Sequence, residues 1–188
     1  MSSSQAHFSQ VPANNSRRSQ FKRPNNHKTT FDANTLIPIY VDEVVPGDTF
    51  KMSSTTFARL ATPIKPSMDN AYLDIHYFFV PNRLLWDNWN HFMGEQDNPD
   101  DSIDFLIPTI DPVIADKNDH TNSIYDYFGI PHIASGSCPI NVLPFRAYNL
   151  IWNEWYRDQN LQDSVDVPKG DNGDTVGTYG LLKRGKRH

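Results

Sequence analysis

The 188-residue chain is 38% hydrophobic and 12% aromatic, enough for one domain with a core and too little for two large ones. A single cysteine, Cys138, excludes an intrachain disulfide, argues against a cysteine-built metal site and fits assembly in a reducing cytoplasm. The net charge of −5 conceals an asymmetry: residues 1–31 hold Arg17, Arg18, Lys22, Arg23 and Lys28 without an acid, the last six residues hold Lys183, Arg184, Lys186 and Arg187, and all 22 Asp and Glu lie between.

Residues 1–30 are rich in Ser, Asn, Gln and Arg, with Phe8 and Phe21 as their only aromatic side chains. Such a segment buries too little apolar surface to offset the entropy of ordering, so it reads as a flexible basic arm. It lacks the apolar run of a signal peptide, and no stretch approaches the roughly 20 apolar residues of a membrane span.

From Phe31 the character changes. Residues 36–41 (LIPIYV) predict a strand, Val44–Asp48 a turn, and Thr49–Leu60 a further extended run. Residues 71–80 (AYLDIHYFFV) give the clearest strand: Leu73, Ile75, Tyr77 and Phe79 share one face, Tyr72, Asp74, His76 and Phe78 the other, and Pro81 ends it.

Two segments then switch to helical spacing. Leu85, Trp86, Trp89, Phe92 and Met93 form the first stripe, with Gly94 placed as a C-cap. The second helix follows Pro144, with Tyr148, Ile151, Trp152, Trp155 and Tyr156 on one stripe and Asn149, Asn153 and Arg157 on another. The intervening residues 94–142 are acidic and broken by five prolines; residues 103–107 suggest a brief strand and residues 123–130 a helical turn. A glycine-rich loop and a strand over 175–182 close the chain. The order predicts a mainly β protein, an antiparallel scaffold into which helical and loop segments are inserted over about residues 81–162. Its strands are too few for a complete eight-stranded jelly roll.

The arm cations Arg17, Arg18, Lys22, Arg23 and Lys28 are the candidate nucleic-acid contacts, because Lys and Arg gain affinity by releasing counterions from phosphates. Phe8 and Phe21 could stack on unpaired bases, or the arm could order against neighbouring subunits instead. The basic run at residues 183–188 could act like the arm, or be an interior loop. Trp86, Trp89, Trp152 and Trp155 suit a core or a subunit interface better than a ligand platform. The acidic stretches 94–104 and 170–174 lack EF-hand spacing and read as solvated loops. Seven scattered histidines show no metal-ligand spacing, Cys138 has no base nearby in sequence, and neither a phosphate-cradling glycine loop nor a nucleophile elbow is present. No enzyme and no cofactor are expected.

Three blocks carry a resemblance: residues 37–52 (IPIYVDEVVPGDTFKM), residues 57–95 (FARLATPIKPSMDNAYLDIHYFFVPNRLLWDNWNHFMGE) and residues 138–161 (CPINVLPFRAYNLIWNEWYRDQNL). In this order and spacing the chain resembles major capsid proteins of the Microviridae, most closely the gokushovirus branch. The resemblance implies a viral jelly roll, an antiparallel β-sandwich with long loop insertions carrying short helices, and self-assembly into a T=1 icosahedral shell around circular single-stranded DNA. It implies as partners further copies of the chain, the genome, an internal scaffolding protein and a small basic DNA-associated protein. It places assembly in a bacterial cytoplasm and the product in the virion. Because the family's pattern continues past residues 181–188, the chain is expected to be an N-terminal portion. The rival reading is a non-virion single-stranded-DNA-binding protein using the basic arm; it is disfavoured because the cations lie at the ends and the body is acidic.

Overall fold

The computed structural model describes residues 17–66, 68–114 and 116–184. Its short helices are α1 (Trp89–Phe92), α2 (Lys117–His120) and α3 (Ile124–Tyr127), and its long one is α4 (Leu143–Ile151), which runs on into a π-helical turn, Trp152–Tyr156. Strand β1 (Thr109–Ile110) pairs antiparallel with β2 (Ile140–Asn141), Thr109 opposite Asn141 and Ile110 opposite Ile140.

α4 organises the body. Pro144 sits in its first turn, where a missing backbone donor costs nothing. Phe145 and Tyr148 enter a core with Ile110, Ile124, Tyr125, Val142 and Tyr179. Leu143, with Ala147 and Leu150 beside it, faces a second cluster containing Leu85 and Trp86. α2 and α3 are single turns made possible by their caps: Asp116 accepts from the Asn118 amide, and Ser123 from the Asp126 amide.

Residues 82–93 do not form the one helix their spacing predicts. They break into a 3-10 turn, Asn82–Leu84, and the single turn α1, with Gly94 following at φ 97°. The break has a direct cause. The Asp87 amide donates to the Lys169 carbonyl at 3.1 Å, not to the carbonyl four residues back, while Trp86 and Asn88 both donate to Asp171. Tertiary bonds to the 169–171 loop outweigh helical period.

The sheet is also smaller than the sequence suggests. Among the described residues, only Leu36 of residues 36–41 has a backbone partner, through Leu36 N to Leu182 O at 3.0 Å beside an antiparallel bridge between Thr35 and Lys183. Residues 71–80 make no backbone ladder among the described residues, yet they keep their period of two. Asp74, His76 and Phe78 reach Arg184, Tyr156 and Trp155 respectively, while Tyr77 on the other face donates to Ser54 Oγ. A strand needs a neighbour for its amides, and the described chain does not bring one. Residues 175–182 likewise hold a 3-10 turn, Val176–Thr178, in place of a continuous strand.

Candidate functional site

Three surfaces hold the residues with chemistry to offer. The first is the seam between residues 17–30 and the body, and it divides the predicted arm cations into two groups. Arg23 Nη1 lies 2.7 and 2.6 Å from the two Asp42 oxygens, and the Tyr40 hydroxyl donates to the same carboxylate at 2.7 Å. The Tyr40 hydroxyl, followed by Arg23, holds the Asp42 carboxyl below the ordinary carboxylate range, and the shared proton raises Tyr40 in turn. Arg18 donates to the Gly47 carbonyl at 3.0 Å, and Tyr127 ties the arm's end by donating to Thr30 O at 2.8 Å. Arg17, Lys22 and Lys28 have no hydrogen-bond or ion-pair partner among the described residues and point their charge at solvent. Phe21 is exposed; Phe8 lies outside the described residues.

Two open crevices follow this seam. One, of about 440 Å³, runs between Arg23–His27, Pro38–Val41 and Tyr127–Gly129. The other, of about 400 Å³, shares His27 and Tyr127 and adds Lys28.

The second surface is aromatic, and it separates the four tryptophans. Trp86 is fully buried, and its indole donates to Asp171 at 2.6 Å. Trp152 is buried and donates to Lys183 O at 2.9 Å. Trp89 is half-buried against Trp86 and Phe92. Trp155 is 72% exposed, although three residues after Trp152 it would share that stripe on an α-helix. The π turn is the reason: the Arg157 amide bonds back five residues to Trp152 O at 2.9 Å, and the wider turn carries Trp155 off the buried face.

The third is polar and buried. Arg146, with no solvent exposure, donates to both Asp174 oxygens at 2.8 and 3.0 Å and to the carbonyls of Leu85 and Gly170. Tyr179 donates to the same carboxylate. Burial works against the Arg146 charge, but the Asp174 hydrogen bonds and charge outweigh it and raise its pKa. Burial, joined by Asp174, pushes the Tyr179 phenol well up. Gly173 is required here, since a Cβ would stand 2.7 Å from the Thr109 carbonyl oxygen. Below Arg146 the stripe continues: Asn149 donates to Asp166 O, Asn153 exchanges two bonds with Val165, and Arg157 donates to Gln162 O. The sequence reading picked out Asn149, Asn153 and Arg157 but missed Arg146, which extends the same polar row by one turn on a helix otherwise aromatic.

The acidic loops are engaged within the chain. Asp101 accepts from the amides of Asp97 and Asn98, while Asp171 accepts from Asn88 and Trp86, which lower its pKa in that order. Among the described residues no three His, Cys, Asp or Glu side chains gather where a metal ion could be held. His120 and His132 meet edge to face at 5.5 Å. Cys138 is half-buried, its amide donating to Asp111, whose carboxyl the Ser137 hydroxyl holds below the usual range. No helix among the described residues is long and apolar enough to cross a membrane.

The described chain thus combines a body cross-tied by a buried ion pair, a basic extended segment laid along it, and an exposed tryptophan at the end of α4. Residues 9–188 match the family described as Capsid protein (F protein), and the chain belongs to that family. It is 52% identical over 182 residues, 96% of this chain and 33% of the relative, to Capsid protein VP1 of Bdellovibrio phage phiMH2K. It is 48% identical over 170 residues to Capsid protein VP1 of Chlamydia phage 1 (87% of this chain, 28% of the relative), and 35% identical over 154 residues to that of Spiroplasma virus 4 (82% and 28%). The chain thus spans about a third of the length of these relatives.

Proposed function

We propose that this chain is part of a structural subunit that self-assembles into a small icosahedral T=1 shell around circular single-stranded DNA, with no catalytic role. The observation that carries the reading is a segment of a capsid-family chain, residues 50–66 and 68–80, that has no ladder among the described residues. Phe57, Leu60, Ile64, Met68, Tyr72 and Phe79 are each exposed by 66% or more, far more apolar surface than a monomer tolerates in one stretch. The period-two contacts of residues 71–80 support an early strand of an antiparallel jelly roll, whose amides await neighbours from the rest of the shell.

Arg17, Lys22 and Lys28, free of partners among the described residues, are the arm cations suited to phosphate; Arg18 and Arg23 fasten the arm to the body. By resemblance, an internal scaffolding protein and a small basic DNA-associated protein join the assembly in a bacterial cytoplasm. Expression of the full-length subunit that contains this chain, followed by electron microscopy and nuclease treatment, tests this reading. Uniform shells holding nuclease-protected single-stranded DNA are expected, with less DNA retained when Arg17, Lys22 and Lys28 become Gln. A monodisperse monomer under all conditions contradicts it.

A further inference from the structure

We propose that the exposed aromatic face at the end of α4, with Lys183 and Arg184 beside it, is a stacking platform for unpaired bases of single-stranded nucleic acid; this rests on the reading of the chain as a subunit enclosing such a genome. Two features that are far apart in sequence meet here. Trp152 donates to the Lys183 carbonyl, which fastens the basic residues 183–184 against the helix that carries Trp155.

The platform is built rather than incidental. Phe78 braces Trp155 at 5.7 Å and Tyr156 at 6.1 Å, and His76 stacks on Tyr156 at 5.8 Å and 16° with its Nδ1 2.5 Å from the hydroxyl. Phe78, itself held by Tyr156 and His76, backs one side of the indole while Trp155 stays 72% exposed, so a base has an open ring to stack on.

The charge beside it suits a phosphate. Lys183 is exposed, and Arg184 is held only by a 3.6 Å pair with Asp74, whose side chain is 62% exposed. Exposed pairs of that length are weak, so a phosphate can take the place of Asp74. A contact between protein copies would instead deplete charge at its aromatic centre. Aromatic rings interleaved with cations are the chemistry that single-stranded binders use.

The test is a titration of the intact chain with fluorescently labelled oligo(dT), read both by tryptophan emission and by the anisotropy of the label, which follows binding in every variant. Trp86 and Trp152 are buried and Trp89 half-buried, so quenching reports mainly on Trp155. Binding with quenching is expected. Trp155→Ala should abolish the quenching and weaken binding on the order of tenfold, with Trp155→Tyr restoring part of the affinity. Arg184→Gln should lower the salt dependence by about 0.7 in log–log slope. Far-ultraviolet circular dichroism and the urea midpoint of each variant, expected to be unchanged because the side chains are at the surface, separate lost binding from lost fold. Binding that Trp155→Ala leaves intact, or no binding, overturns the platform. So does a concentration-dependent blue shift without oligonucleotide, which assigns the face to contact between copies. Shells that still form with such results leave the capsid reading standing.

Discussion

Residues 82–182 and residues 37–80 are both rich in apolar side chains, the second segment more so, yet they meet opposite fates. In the first region Leu85, Trp86, Val142, Phe145 and Trp152 are buried, and Arg146 pins the helix to the 170–174 loop from within. In the second, Phe57 is 91% exposed and residues 71–80 have no ladder among the described residues. The difference lies in partners rather than in composition. Helix α4 brings its own partners through loops that return to it, whereas an isolated strand cannot satisfy its backbone alone.

The largest expected effect that sharpens this contrast is Asp174→Ala. It leaves the buried Arg146 guanidinium unpaired and should cost about 3–5 kcal/mol, read as a drop in the urea midpoint. Next comes a matched pair. Trp86→Ala should cost about 3–5 kcal/mol in the same assay, while Phe57→Ala stays within about 0.5 kcal/mol. Equal effects would break the comparison.

Alkali gives a smaller, directional effect. Burial pushes the phenols of Tyr125 and Tyr148 up to about 12 from 10.0. Their neutral forms therefore stabilise the fold fully below pH 10, and that contribution is lost as pH rises from 10 towards 12. Tyr148 donates to Leu36 O and accepts from the Leu182 amide, so Tyr148→Phe should shrink the alkaline step seen by circular dichroism. The smallest effect is at the arm. Asp42→Ala removes the Arg23 anchor and should leave the urea midpoint within error, because the pair is exposed on one side. Limited proteolysis should nonetheless cut residues 17–42 faster.

Much of the body was legible in the sequence because its signals are local. Pro144 marked the start of α4, and Ser123–Ile130 announced the capped turn α3. What was not legible depended on long-range bonds. Lys169 takes the amide that would have continued a helix through Asp87, and the π turn moves Trp155 away from Trp152. Spacing alone put both tryptophans on one stripe. The arm's charge was plain, but only the fold separates Arg18 and Arg23, which hold it, from Arg17, Lys22 and Lys28, which stay free among the described residues.

Hydrogen exchange of residues 71–80, compared between the free chain and assembled particles, tests most directly whether this segment waits for neighbours. Fast exchange in the free chain and strong protection in particles is the predicted result. Equal, fast exchange in both would contradict it, and would leave the exposed apolar residues Phe57, Leu60, Ile64, Met68, Tyr72 and Phe79 without a role in the shell.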